Sequence, residues 1–341
     1  MRRPDVAAGP RGMMTMVPSA SVDGRVAVPD AAHGAPRADS RSRPRGAPGA
    51  GGDRVAAAVL LAPNVIGFSL FLGVPIGASL VLSLFDADGF GAYDFVGLAN
   101  YGRMLGDPLF GQSLLVTCLY VLGMVPGVFI ASLGLALLVN ARLPLRGLFR
   151  AAFFLPHVVS LVVIGLVWRF LLVDKVGVVN QVLEPIGLGG ISFLGDSRYA
   201  LATVLAVSIW FYMGYYMIIF LAGLNDIPSE YYDAAKVDGA SAFGMFRHIT
   251  WPLLRPTSFF VLVVSTVAAV SGAQAFDLIY VMTQGGPANA TSLGMFYIYQ
   301  QAFQFNNYGY ASAMSATVVL SLVIVTGALF AVTRAGRFDD E

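Results

Sequence analysis

The segment EYYDAAKVDGASAFGMFRHITWP, Glu230 to Pro252, is polar and dotted with charge, yet it lies between two long apolar runs. The chain around it is 341 residues long, 57% hydrophobic and 12% charged, with a mean hydropathy of +0.71. That is far more apolar side chain than one soluble core of this length buries. An integral membrane protein follows. A net charge of +1 argues against nucleic acid as a partner.

Apolar stretches long enough to cross a bilayer, about 20 residues each, recur six times. Their approximate limits are Val55 to Leu84, Gly111 to Val139, Ala151 to Val173, Tyr199 to Leu224, Thr257 to Met282 and Ala311 to Thr333. In lipid every backbone polar group must be satisfied within the segment, so these are expected to be helices. Pro63, Pro75 and Pro126 are expected to kink the first two. Gly73/Gly77 and Gly123/Gly127 have the GxxxG spacing that lets helices approach closely.

Lys and Arg in the loops set the orientation, because basic side chains stay on the cytoplasmic side. With six spans, Arg54, Arg142, Arg146, Arg150, Lys236, Arg247, Arg255, Arg334 and Arg337 fall on one side and only Arg103, Lys175 and Arg198 on the other. Both termini and the 230–252 segment are therefore expected in the cytoplasm. Residues 1–50, rich in Ala, Pro, Gly and Arg and including RADSRSRPRG (Arg37 to Gly46), are expected to be a disordered tail. No secretory signal pattern is found there, and Met13, Met14 or Met16 is an alternative start. The membrane domain is then 51–334, with its cytoplasmic loop at 225–256 and a short tail at 335–341. Cys118 stands alone in an apolar run and reads as a packing residue, and His33, His157 and His248 lack metal-site spacing.

Within the polar segment, Pro228 and Ser229 are expected to start a short helix with Ser229 as its cap, and Gly239 to end it. Ser241 is expected to cap a second helix stopping near Trp251, since Pro252 disfavours helical geometry in the residue before it. Ala234 and Ala235 offer a small surface between Tyr231 and Asp238, and Phe243 and Phe246 share one face with Thr250.

The spacing Asp233-Ala234-Ala235, three residues, Gly239, nine residues, Ile249, one residue, Trp251-Pro252 resembles the EAA signature of the membrane subunits of binding-protein-dependent ABC importers. Asp233 stands where Glu is commoner in that family and Trp251 where Leu is commoner. FVGLANYGRMLGDPLF (Phe95 to Phe110), FFLPHVVSLVVIGLVWRFLL (Phe153 to Leu172) and TQGGPANATSLGMFYIYQQAF (Thr283 to Phe303) are similar to stretches of its carbohydrate-uptake branch, in the maltose-type and glycerol-phosphate-type first permease. The resemblance implies an all-α protein with the type I ABC importer permease fold, six transmembrane helices and a cytoplasmic helical coupling loop. Glu230, Asp233, Ala234, Ala235, Gly239, Phe243, Phe246, Ile249 and Pro252 would then contact a separate ATPase. It also implies a second, similar permease, two ATPase subunits that carry ATP and magnesium, an extracytoplasmic sugar-binding protein and a surround of membrane lipid.

Neither lysine sits in a phosphate-cradling Gly-Lys-Ser/Thr loop: Lys175 follows Asp174 and Lys236 follows Ala235. ATP hydrolysis is thus expected on another subunit, and the chain itself is not expected to be an enzyme or to hold a cofactor or metal. An ion-coupled secondary carrier of a small polar solute is the alternative; it would be expected to bury ionisable groups at mid-membrane. The spans hold only Arg169 and Asp277, near their outer ends. A sugar path needs aromatic faces and hydrogen-bonding groups in a cavity between helices. Trp210, Tyr212, Tyr215 and Tyr216 in the fourth span, and Ser271, Gln274 and Asp277 in the fifth, are the candidates, with Gln274 and Asp277 expected on one helix face. The outward aromatics Phe296, Tyr297, Tyr299, Phe303, Tyr308 and Tyr310 are candidates for binding-protein contact or interfacial anchoring, and Asn289-Ala290-Thr291 matches a glycosylation sequon by chance.

Overall fold

A computed structural model describes residues 50–91, 93–141, 145–174, 176–187 and 190–335. Of the tails expected at 1–50 and 335–341, residues 1–49 and 336–341, with Arg37 to Gly46 and Arg337, lie outside the described residues, as do the loop residues Arg142 and Lys175, while Ala50 and Ala335 are helical. The chain divides into residues 1–62, whose described part is helical, and residues 63–341.

Helix α1 (Ala50–Phe68) passes through a π turn at Ser69–Gly73 into α2 (Val74–Leu82). Strands β1 (Phe85–Ala87) and β2 (Tyr93–Phe95) form an antiparallel hairpin with Asp86 opposite Asp94. Next come α3 (Ala99–Leu105), α4 (Pro108–Asn140), α5 (Arg146–Val158), α6 (Leu161–Leu171), α7 (Val178–Leu183) and α8 (Ser197–Asn225). The polar segment supplies α9 (Ser229–Val237), α10 (Ala242–Met245), a π turn at Phe246–Thr250 and α11 (Trp251–Leu253). The chain closes with α12 (Arg255–Val270), α13 (Phe276–Met282), α14 (Gly294–Tyr299) and α15 (Tyr308–Ala335).

Among the described residues, four helices are long and apolar enough to cross a membrane: Ala57–Leu82, Pro108–Asn140, Ser197–Asn225 and Tyr308–Ala331. Two bent pairs bring the number to six if each makes one crossing. The third apolar run is therefore not the single rod expected over Ala151 to Val173. It breaks at Val159 and Ser160, where α5 meets α6 at 94°. The fifth is not continuous over Thr257 to Met282 either. Residues 271–275 form turns between α12 and α13, with Gly272 at φ 73°. Composition reports length and apolarity but not such breaks, which non-helical backbone tolerates where it is buried in protein or lines a cavity.

Two prolines follow π turns, whereas Pro63 lies inside α1. The Val74 N–H bonds to the Ser69 carbonyl just before Pro75, and the Trp251 N–H to the Phe246 carbonyl just before Pro252. A wider turn relieves the clash between the proline ring and the preceding turn. Pro126, by contrast, lies inside an unbroken α4.

The core is α4 against α8. Tyr120, Met124, Val128 and Ala136 are fully buried on the first, and Val204, Met217 and Phe220 on the second. Gly123 and Gly127 admit Leu205 and Ile209 of α8, where a Cβ would collide. Gly73 and Gly77 meet no neighbouring element among the described residues. Cys118 is exposed, so it is not the packing residue expected. At Gly214 a Cβ would strike the Phe153 carbonyl, which shows how closely α5 and α8 cross. The Arg169 guanidinium donates to the Val281 carbonyl at 3.1 Å, capping the C-terminal end of α13 with positive charge.

Candidate functional site

The polar segment folds into a compact tip. Its first helix ends as the sequence leads one to expect. Gly239 sits at φ 74°, its N–H bonds to the Lys236 carbonyl at 3.1 Å, and the Ala240 N–H reaches the Ala235 carbonyl at 2.9 Å. That pair of bonds is a Schellman stop, which favours glycine because the left-handed conformation penalises a Cβ. The Ser241 hydroxyl accepts from the Gly244 N–H at 3.2 Å, capping α10. Two expectations fail. Ser229 is inside α9, behind Pro228, and makes no capping bond. The second helix also does not stop at Trp251, because the π turn carries it past Pro252 to Leu253.

The tip has a rooted underside and a bare outer side. Ile227, Thr250 and Leu254 are buried, Ile249 is half-buried against the core, and the Tyr232 and Thr250 hydroxyls meet at 2.9 Å, pinning α9 to the π turn. Trp251 packs edge-on against Phe129 of α4 at 6.4 Å. A Cβ at Gly223 would meet Thr257, so the end of α8 and the start of α12 touch closely beside it. Outward, Glu230, Asp233, Ala234 and Gly239 are exposed, and Val237 and Phe243 are 88% and 70% accessible. Ala235 and Pro252 are half-buried, and Asp233 pairs with Lys236 at 2.7 Å. Phe246 turns into a groove with Phe243 and Trp251.

A second cluster sits at the break of the third run. The His157 ring lies 4.9 Å from Tyr215, 5.4 Å from Tyr212 and 5.2 Å from Phe211. Tyr215 meets Tyr216 edge-on at 5.0 Å, and the Gln274 amide donates to the Tyr216 hydroxyl at 2.9 Å. Asp277, half-buried, is close enough to Tyr212 to interact with it electrostatically. Five of the seven candidates thus adjoin one another. Gln274, however, lies in the turns before α13, so it does not share a helix face with Asp277. Trp210 stands apart, edge-on to Trp168 at 5.6 Å in an apolar recess, and Ser271 bonds back to the Ala268 carbonyl at 3.1 Å.

His157 carries no expectation beyond its failure to match metal spacing. Its signal is the neighbouring Pro156, but nothing in a linear reading marks the 94° break that brings it to the tyrosines. The His157 Nδ1 and the Gln274 Oε1 are both shut off from solvent with no hydrogen-bond partner among the described residues. Such atoms cost about 1–3 kcal/mol each, and orphaned acceptors or donors beside stacked aromatic faces suit a ligand that brings hydroxyl groups.

At the hairpin end, Asp107 ties together segments far apart in the chain. One oxygen accepts from the Leu109 and Phe110 N–H groups, and the other accepts the Tyr297 and Tyr310 hydroxyls, both at 2.7 Å. Arg103 lies 4.2 Å over the Tyr310 ring. Burial alone would raise the Asp107 carboxyl, but the bonds from Tyr310, Tyr297 and the two backbone groups outweigh it and hold the carboxyl below its usual range. Burial and the neighbouring Asp107 push Tyr297 up to about 12. Of the aromatics expected to face outward, Phe296, Tyr297 and Tyr310 are buried and so not surface contacts; Phe303 is 64% accessible. Thr291 of the sequon is fully buried, bonding Thr283 and the Gly286 carbonyl.

Broken helices meeting at an aromatic, hydrogen-bonding cluster, and a small helical tip rooted on the core, fit a polytopic membrane subunit. The chain belongs to the binding-protein-dependent transport system inner membrane components, a family that matches residues 127–336, and is a permease subunit of an ABC transporter, not an enzyme. It is 35% identical over 286 residues, 83% of this chain and 92% of the relative, to the sulfoquinovosyl glycerol transport system permease protein SmoG of Agrobacterium fabrum. To the lactose transport system permease protein LacF of Rhizobium radiobacter it is 36% identical over 282 residues, 81% of this chain and 93% of the relative. A bacterial ABC transporter involved in the import of the acidic polysaccharide alginate has the same fold: the TM-score is 0.73 at 24% identity, covering 84% of this chain and 96% of that one.

Proposed function

We propose that this permease takes up a sugar by alternating access, driven through the 230–252 tip by a separate ATPase. The observation that carries this is the two-sidedness of the tip: Tyr232, Ile249 and Leu254 root it among α4, α8 and α12, while Val237 and Phe243 stay bare. A force applied to the bare side is transmitted to the spans, because interiors packed like this resist compression. In this reading the tip and both termini face the cytoplasm of a prokaryotic cell, ATP and magnesium bind the ATPase pair, and a second permease completes the path. The family's dependence on a binding protein, and carbohydrate names among the relatives, support sugar delivery from outside.

The sugar would meet His157, Tyr212, Tyr215, Tyr216 and Gln274, stacking on the rings and bonding His157 Nδ1 and Gln274 Oε1. Deletion of Gly239 to Phe246 tests the coupling. The expected variant inserts and assembles with the second permease but neither binds the ATPase nor supports uptake; uptake at the normal rate would refute the assignment. Against an ion-coupled carrier, vesicles holding this chain alone are expected to stay inert under an ion gradient until the other permease, ATPase and binding protein are added.

A further inference from the structure

Phe243, Phe246, Arg247, Trp251 and Arg255 line a groove of about 530 Å³ along one side of the bent helix that leads from the tip into α12. They recur at roughly one-turn intervals, so the chain presents them as a single stripe where it bends by 65° between Ala242–Leu253 and Arg255–Val270. Arg255 is the first residue of α12 and therefore marks the boundary of the fifth apolar run. Trp251 is 38% accessible beside it, and its ring is seated on Phe129. Among the described residues the only ion pair joins Lys236 to Asp233, so neither arginine of the groove has a carboxylate in contact.

We infer that this groove holds the headgroup of an anionic phospholipid, its phosphate between Arg247 and Arg255 and its glycerol end against Trp251. Three features select this occupant. Two guanidiniums without a carboxylate partner match a phosphate in charge and in their fork of donors. An indole at the edge of an apolar span is the side chain that sits at headgroup level. The groove also opens where α12 becomes apolar, so a lipid seated there keeps its acyl chains beside that helix. Basic pockets at such a boundary are lipid headgroup sites by the same physics. The bound lipid would brace the bend between tip and span, which makes transport depend on anionic lipid.

The assembled transporter is purified and reconstituted into nanodiscs of phosphatidylglycerol and phosphatidylcholine, and the lipids retained after mild detergent are identified by native mass spectrometry. Wild type is expected to retain phosphatidylglycerol preferentially. R247Q and R255Q are each expected to cut that preference about fivefold, and R247K/R255K to keep most of it, with the thermal midpoints of the delipidated proteins unchanged. Equal retention of the two lipids by wild type, or full preference in R247Q/R255Q, overturns the proposal. Displacement of the lipid by millimolar glycerol phosphate as readily as by phosphatidylglycerol would make the ligand a soluble phosphate instead. Loss of ATPase co-purification with lipid retention intact would assign the groove to the ATPase, leaving the coupling role standing and the lipid site refuted.

Discussion

The Gln274 side-chain amide donates to the Tyr216 hydroxyl at 2.9 Å, joining the turns that interrupt the fifth apolar run to the middle of α8. Gln274 is 3% accessible and its carbonyl oxygen has no partner among the described residues, so half of the amide is committed to structure and half is left unsatisfied. Q274L removes both halves. It is expected to raise the KM for sugar uptake about tenfold, the equivalent of one lost hydrogen bond to a buried group, while the basal ATPase rate holds. An unchanged KM in transport assays with saturating binding protein would remove Gln274 from the path.

His157 makes the complementary case. H157F keeps an aromatic ring among Phe211, Tyr212 and Tyr215 but deletes the orphaned Nδ1. Uptake should lose affinity by about tenfold with little loss of thermal stability. A large drop in thermal midpoint without a change in KM would mean that the imidazole serves packing alone.

Tyr232 and Thr250 lock α9 to the π turn through one bond. Y232F costs about 1 kcal/mol locally and loosens the tip from its root. The expected signature is fewer sugars moved per ATP hydrolysed, with ATPase binding intact, as measured by parallel uptake and phosphate release in proteoliposomes.

Gly272 has φ 73°, and a Cβ there would press on the Met295 Cβ. G272A should lower stability by at least about 1–2 kcal/mol for the left-handed backbone alone, with more for displacing Met295. Thermal unfolding of the solubilised subunit measures it, and a midpoint equal to wild type would show that the turn refolds without cost.

Asp107 has a pH signature. A carboxyl held below its unfolded value of about 3.9 contributes stability that is fully present above that pH and is lost as pH falls through the folded value. D107N is therefore expected to unfold several degrees below wild type at pH 7, with the gap narrowing under acid conditions below about pH 4. Tyr297, pushed up to about 12, adds the opposite limb: its contribution is present below about pH 10 and fades as alkali carries pH through the raised value.

The apolar runs were legible because length and hydropathy are enough to mark a crossing, and α4, α8 and α15 fall within about a turn of the limits read from sequence. The tip was legible because Gly239 and Ser241 are local signals whose geometry needs only their immediate neighbours. The breaks at Ser160 and Gly272 were not. Their polar residues are few, and what stabilises them is the distant partner that each break allows: Tyr215 for His157, Tyr216 for Gln274 and Met295 for Gly272. Asp107 was invisible for the same reason, since its tyrosines lie 190 and 203 residues away. Ser229 is a good capping residue, but α9 begins one position earlier, with Pro228 at the cap and Ser229 as the first helical residue.

The five-residue turn at Phe246–Thr250 leaves the helix one residue over-full. Each residue of an α-helix advances its face by about 100°, so that surplus decides the azimuth at which everything beyond it emerges. Removing a single residue there would let the rod close into ordinary phase and swing the Trp251 indole round the axis, away from Phe129. The tip and the membrane helix would both survive intact, yet no longer be keyed to one another, like a crank remounted on the wrong spline.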